Sequence, residues 1–388
     1  MALVVRPSQG GMLKAAGDLA DGLAQRGFHV YWAGPPRTAA APARIRELAF
    51  AWPSRTKPWH ETAAMNSLGK ALAHLQPDII HAHGLRAGWL IRLALRRGLL
   101  PAEIPVIVTL HNMPGGGSKT NIRTAFWLNL EKWLPWPARY ICVSKPVADW
   151  ITSRLPALGP RTVVIHHGVA CPPATSLDRL QARTRLGVAP DDRTVVIGVV
   201  ARCSREKGID LALAACSRLS PHLAQNQTWL LVVMGDGPEL ERLRAQSAAL
   251  NMSRRVRFTG HVDHAEQYMA AFDLCLIPSR SEGLGMAALE ALAAGVPVAA
   301  SDTGGLREAL DGGKAGCLVE AGSPAALSAA IERIAGDAPL RQSLVTAGRK
   351  HVLLNFHPGM TLDRHQALYE TVAATWRPAG AQGPKPGW

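Results

Sequence analysis

The sequence predicts an α/β chain built from two doubly wound parallel sheets. Three observations carry this reading. Apolar runs of strand length alternate with longer helical patterns along the chain, which is the signature of strands buried on both faces by crossover helices. The alternation occurs twice, on either side of a Pro-containing stretch at 168–174. At 388 residues the chain also exceeds the usual length of one core.

In the first half, strands are expected at Ala2–Val5, His29–Ala33, Ile79–His81, Val106–Leu110, Tyr140–Val143 and Val163–His166. Each is an apolar run. Helices are expected between them at Met12–Gln25, Thr62–Leu75, Ala87–Arg97, Asn121–Trp133 and Pro146–Arg154, where apolar residues recur at helical spacing. In the second half the strands are Val195–Val200, Leu230–Met234, Val256–Thr259, Leu274–Ile277, Val298–Ala300 and Gly316–Val319. Their helices are Gly208–Leu219, Pro238–Leu250, Ala265–Ala271, Leu284–Ala294 and Ala325–Ala335, with further helices at Arg341–Asn355 and Thr361–Trp376. The domains are expected at 1–168 and 169–356, followed by a helix at 357–376. A Pro- and Gly-rich tail at 377–388 has too little apolar content to pack.

Apolar residues make up 47% of the chain, enough for two cores. The six cysteines are scattered and form no Cys-x-x-Cys pair. They read as small buried hydrophobes in a reducing compartment, not as a zinc site. The first residues do not make a signal peptide, and no run is long and apolar enough to span a bilayer. The expected location is therefore the cytoplasm. Net charge is +14. Residues 1–168 hold 20 Lys and Arg against 8 Asp and Glu, whereas residues 169–388 hold 23 against 21. The excess in the first half suits an anionic surface such as lipid. Charge alone does not make a nucleic-acid binder, and no such module is recognisable.

The chemistry is expected at loops that leave the carboxyl ends of strands. Glu282 follows the strand Leu274–Ile277, and Glu290 lies about two turns into the next helix. Gly283 and Gly285 allow backbone amides near a ligand, and the helix start favours an anion. Arg202 and Lys207 follow the first strand of the second half, where two cations can clamp a diphosphate without a metal. Gly235-Asp236-Gly237 occupies an equivalent loop, although that tripeptide is also a common turn. Gly10 and Gly11 open the first helix but lack a complete phosphate-loop pattern. His111 ends a strand before a glycine-rich loop and is a candidate contact to a reacting group, set against the commoner structural role of such a histidine. His81 and His83 share one strand face without an evident third metal ligand. No Asp-x-Asp or Gly-x-Ser-x-Gly motif is present. From Lys119 to Arg139, Phe126, Trp127, Trp133 and Trp136 are interleaved with Lys119, Arg123, Lys132 and Arg139. That pattern suits a membrane–water interface, and it equally suits a helix packed on a sheet.

Taken together, these segments resemble the retaining glycosyltransferases of family 4, which have the GT-B fold of two Rossmann-like domains facing a central cleft. The likeness runs from about residue 3 to about residue 376. It is carried by Glu282-x7-Glu290, with Gly10-Gly11, Val143-Ser144, Gly168-Val169, Arg202, Glu206-Lys207-Gly208 and Gly235-Asp236-Gly237 in order. The resemblance implies a first domain that binds the acceptor and a second that binds a nucleotide-diphosphate sugar, with UDP favoured. It implies that Arg202 and Lys207, with the amides of Gly285 and Met286, hold the diphosphate. Glu282 would contact the sugar, Glu290 the ribose, Gly10 and Gly11 the donor phosphate, and His111 the transferred sugar. No metal cofactor is implied. The last helix would cross back to the first domain.

The chain departs from the family pattern at Ala15, where a histidine is frequent, and at His167-Gly168-Val169, where Asn-Gly-Val is common. The expected activity is metal-independent, retaining hexosyl transfer to a lipid-linked saccharide in exopolysaccharide or cell-envelope synthesis, at the inner membrane face. The alternatives are a soluble small-molecule acceptor, a sugar-nucleotide epimerase of the same fold, and a non-catalytic sugar-nucleotide-binding protein.

Overall fold

A computed structural model describes residues 1–7, 11–37, 42–48, 52, 58–113, 122–171, 177–189, 193–223 and 227–377, without side chains at 58–61 and 122–127. Two compact units are present, one of residues 1–166 with 361–388 and one of residues 167–360.

The first unit is a seven-stranded parallel sheet. Its strands are β1 (Ala2–Val5), β2 (Val30–Ala33), β3 (Ile45–Glu47), β4 (Ile80–His83), β5 (Val106–Leu110), β6 (Arg139–Cys142) and β7 (Thr162–Val164), in spatial order β3-β2-β1-β4-β5-β6-β7. Helices α1 (Gly11–Gln25), α2 (Pro58–Leu75), α3 (Leu85–Arg96), α4 (Ile122–Trp133) and α5 (Lys145–Arg154) connect them. Every residue of β1, β4 and β5 is buried; β1 reads as an unbroken apolar run, whereas β4 carries His81 and His83 and β5 carries Thr109. The sequence does not show β3. This three-residue edge strand buries only Ile45 and exposes Arg46 and Glu47, so it lacks the apolar run that marks a central strand.

The second unit is a six-stranded parallel sheet. Its strands are β8 (Thr194–Val200), β9 (Thr228–Met234), β10 (Val256–Gly260), β11 (Leu274–Ile277), β12 (Val298–Ser301) and β13 (Cys317–Val319), ordered β10-β9-β8-β11-β12-β13. The helices are α6 (Arg179–Arg185), α7 (Ile209–Cys216), α8 (Leu240–Ala249), α9 (Met286–Ala294), α10 (Leu306–Ala309), α11 (Pro324–Gly336) and α12 (Ala338–Asn355). Starts are set by side chains that accept from orphan amides. Asp178 accepts from Gln181 N, Ser323 from Ala326 N and Asp337 from Leu340 N. The segment expected to be a helix at Ala265–Ala271 is a 3-10 turn. The segment is entered from a left-handed His264 and closes with the tighter i→i+3 pattern.

The last helix, α13 (Pro358–Thr375), belongs to the first unit from Thr361 onward. It packs on α1 at Gly22, where an added Cβ would come within 2.5 Å of Leu362. Arg26 meets Asp363 there at 2.6 Å. Its buried face inserts His365, Tyr369 and Val372 against the sheet, and Tyr369 Oη lies 2.7 Å from His81 Nδ1.

A second buried polar group ties α3 to α4 and β6. The Arg92 guanidinium donates to Glu131 Oε1 at 2.5 Å, to Tyr140 Oη at 2.9 Å and to the Gly88 carbonyl at 3.2 Å, and Tyr140 Oη donates to the other Glu131 oxygen. The set is closed, with the single carboxylate answering the single guanidinium. Glu131→Ala therefore leaves a buried cation unpaired, and chemical denaturation should report a loss of about 3–5 kcal/mol.

Burial lowers the His365 pKa from 6.5 to about 4, against a smaller upward effect of its hydrogen bond to the Thr361 carbonyl. The folded state thus holds the neutral ring. The stability this confers is fully present above pH 6.5 and is lost as pH falls toward 4, by on the order of 3 kcal/mol. His365→Leu should flatten that part of the acid limb in a pH series of urea melts.

Candidate functional site

In the second sheet, strand order reverses between β8 and β11, which pair at Leu274 and Ile197. Ligands of open α/β sheets bind outside the carboxyl ends at such a reversal. The loop leaving β8 carries Arg202 and Lys207, and the loop leaving β11 carries Glu282. The two loops meet. Lys207 Nζ lies 2.8 Å from both Glu282 oxygens, and Ser279 Oγ donates to Glu282 Oε2 at 2.9 Å. The pair is largely sheltered, with side chains 27% and 11% exposed. An ammonium has three donors, so binding both carboxylate oxygens leaves Lys207 one more. Arg202 is exposed and has no ion pair among the described residues.

Backbone packing holds these loops in place. At Gly208, with φ +65°, an added Cβ would stand 2.0 Å from the Pro278 carbonyl oxygen. At Gly304, with φ +54°, it would stand 1.8 Å from the Glu282 carbonyl oxygen. Only glycine permits both the left-handed conformation and the approach. Arg280 N donates to the Glu206 carbonyl at 2.8 Å, and the Arg280 guanidinium takes Asp210 bidentately at 2.6 and 2.7 Å. Burial alone would raise the Asp210 pKa. The hydrogen bonds and charge of Arg280 outweigh it and hold the carboxyl below its ordinary range. Sequence reading missed Arg280, Asp210 and Ser279. Their only signal is position, because Ser279 and Arg280 precede Glu282 in its loop and Asp210 stands in the first turn of α7, just after Gly208.

The other residues singled out in this unit lie on adjoining elements. Gly235 follows β9 and donates to the Gly260 carbonyl at 2.8 Å, while Cys203 N donates to the Asp236 carbonyl at 2.9 Å. That contact zips the Gly-Asp-Gly loop to the Arg202 loop. Gly285 caps α9, which begins at Met286, so the first amides of that helix have no intrahelical partner. Glu290 is half-buried on α9. Burial first, and the Glu290 charge second, push the Cys275 thiol up to about 12.

In the first unit, Gly11 is the first residue of α1, and Gly10 lies outside the described residues. His111 follows β5, and its Nε2 lies 3.1 Å from His83 Nδ1 at the end of β4. Both rings therefore stand at the carboxyl edge of the first sheet. His81 stacks on His83 with centroids 4.3 Å apart. The two His81 nitrogens meet Tyr369 Oη and Thr109 Oγ1, each at 2.7 Å. This occupies both nitrogens and leaves none for a metal. Ala15 lies in α1, and His167 is buried.

Solved structures share this fold. Sucrose-phosphate synthase from Thermosynechococcus elongatus superposes with a TM-score of 0.81 at 23% identity, covering 97% of this chain and 100% of that one. Anabaena Alr3699/HepE, solved with UDP-glucose, gives 0.76 at 21% identity, covering 96% and 100%. The two parallel-sheet units thus define a GT-B fold. Residues 9–171 match the model described as Glycosyltransferase Family 4, and residues 183–351 match Glycosyl transferases group 1. The chain is 31% identical over 356 residues to the D-inositol 3-phosphate glycosyltransferase of Acidothermus cellulolyticus, spanning 85% of this chain and 76% of that protein. It is also 31% identical over 302 residues to the phosphatidyl-myo-inositol mannosyltransferase of Mycobacterium leprae, spanning 77% and 74%. The chain belongs to glycosyltransferase family 4. It is a glycosyltransferase of the hexosyltransferase class that uses a nucleotide-sugar donor.

Proposed function

We propose that the second unit binds a UDP-sugar and that transfer proceeds with retention and without a metal ion. The Lys207–Glu282 pair at the strand-order reversal carries this reading. Lys207 has a donor to spare for the diphosphate, and the exposed Arg202 adds a second cation. Together they would stabilise charge on the departing phosphate as the glycosidic bond breaks. Glu282 would accept from sugar hydroxyls, with Ser279 holding its orientation. The amides at Gly285 and Met286, and the close backbone at Gly235, would complete the phosphate cradle, and Glu290 would take the ribose. In the first unit, Gly11 and His111 would face the donor phosphate and the sugar, and Gly10 is assigned with Gly11. UDP is favoured because a structural neighbour was solved with UDP-glucose.

For the acceptor, a lipid-linked saccharide at the inner membrane face, as in cell-envelope or exopolysaccharide synthesis, fits the surface of the first unit. Trp133 and Trp136 are 51% and 38% exposed. Arg96 stacks over Trp133 at 3.8 Å from the ring centroid, and exposed Lys132 sits beside it. Indoles flanked by cations suit an anionic interface. The part of that stretch from 119 to 127 lies outside the described side chains. No helix among the described residues is long and apolar enough to cross a membrane. A soluble polyol phosphate acceptor is the second reading, favoured by the relatives named D-inositol 3-phosphate glycosyltransferase.

Steady-state transfer from UDP-sugars in the presence of EDTA tests the donor site. Lys207→Ala and Glu282→Gln should each lower kcat by about 10²-fold or more with the fold intact. Unchanged kcat in either variant would remove that residue from the site. For the membrane reading, sedimentation with anionic vesicles should bring down the wild type, and a Trp133→Ala/Trp136→Ala variant should stay in the supernatant. Equal binding to neutral vesicles, or none, favours the soluble acceptor.

A further inference from the structure

A cavity of about 240 Å³ opens on the first unit between the sheet and the end of α13. Arg139, Arg161 and Arg377 line it, with Trp376 and Val372 as its apolar wall. Each guanidinium is anchored by a backbone carbonyl. Arg139 donates to Ala138 O at 2.8 Å, Arg161 to Pro137 O at 3.3 Å and Arg377 to Trp376 O at 2.8 Å. The Trp376 indole N–H points at the Ala102 carbonyl at 3.4 Å. A guanidinium has five donors, so these anchors fix the three groups and leave most of their donors unused.

Among the described residues no carboxylate answers them. Elsewhere in this unit some arginines pair with acids, as in Arg26–Asp363, Arg37–Asp21 and Arg92–Glu131, while others, such as Arg44, donate to backbone carbonyls. None of the three pocket arginines has an ion pair among the described residues, and no acidic residue lines the pocket. Three cationic side chains lining one concavity favour a bound anion. Forked donors match the oxygens of a phosphate group.

The place differs from the transfer site. Arg139 opens β6 and Arg161 immediately precedes β7, so the pocket sits at the amino edge of a parallel sheet. His111 leaves the carboxyl end of β5, and Arg139 pairs with Ile107 at that strand's start. The length of a strand, about 13 Å, separates the two edges.

We propose that this pocket is a phosphate-binding site, independent of donor binding. Its ligand is a phosphate group, supplied either by a soluble phosphate or by the headgroup of a phosphomonoester lipid. Neither source requires chemistry at the pocket.

Calorimetric titration of the full chain with inorganic phosphate tests it. The titration is done in an Arg202→Ala/Lys207→Ala background, which removes the proposed donor phosphate site. Saturable binding is expected, weakened at least about tenfold by adding Arg139→Gln and Arg161→Gln. Arg377→Gln, at an exposed position after the last helix, should weaken it in the same direction and guards against misfolding of the double change. In the otherwise wild-type chain, Arg139→Gln/Arg161→Gln should leave sugar transfer unchanged in phosphate-free buffer with a soluble acceptor. Vesicles of phosphatidylcholine with or without phosphatidic acid separate the sources. Retention of the wild type but not of Arg139→Gln/Arg161→Gln by phosphatidic acid assigns the lipid headgroup. Phosphate binding without that retention assigns a soluble phosphate. No phosphate binding, or equal affinity with and without the arginine changes, overturns the proposal.

Discussion

Backbone contact between the loops at the carboxyl edge of the second sheet is the constraint on which the candidate site depends. The chain after β8 lies against the chain after β11 at Gly208, and the chain after β12 lies against Glu282 at Gly304. Any side chain at either glycine would occupy the space of a carbonyl oxygen. Arg280 and Asp210 then bridge the first two loops with a forked pair of hydrogen bonds. This packing places Lys207 Nζ at hydrogen-bond distance from both Glu282 oxygens. A carboxylate and an ammonium held by loops of this stiffness need little reorganisation when a ligand arrives, which is the property that makes fixed charges effective in catalysis.

The first unit solves a different problem. Two of the buried polar groups on its sheet are closed by partners from other elements. Glu131 answers Arg92 and Tyr140. Tyr369, from the last helix, answers His81. Burying such groups costs less when every hydrogen bond is made. The last helix therefore does more than cover apolar surface. It completes the polar interior of a sheet whose strands were laid down near the start of the chain, and the small residue Gly22 lets it approach. The same helix also ends beside Arg139 and Arg161, so one element closes the interior and walls a basic pocket.

Much of the fold was legible in the sequence because parallel strands covered on both faces are mostly apolar. The central strands announce themselves in this way. The edge strand Ile45–Glu47 does not, since solvent on one side permits Arg46 and Glu47. The segment at 265–271 has the composition of a helix, but the chain enters it from a left-handed His264 and winds it as a 3-10 turn. At the candidate site, the loop positions of Glu282 and Lys207, which the structure brings together, were legible from residue type and their place after strands. Ser279, Asp210 and Arg280 were not, because serines, aspartates and arginines are common in loops and become informative only when seen in contact.

By itself the sequence determined the two-sheet class, the family and the loops that carry charge, since these follow from local periodicity and from short motifs. Only the tertiary structure decided which charges meet. Lys207 and Glu282 are 75 residues apart in sequence, His81 and Tyr369 are 288 apart, and Arg139 and Arg161 join Arg377 only through the return of the last helix. Local pattern carries no information on such pairs. They arise when strands from distant segments are placed side by side, and sheet order is a property of the whole chain.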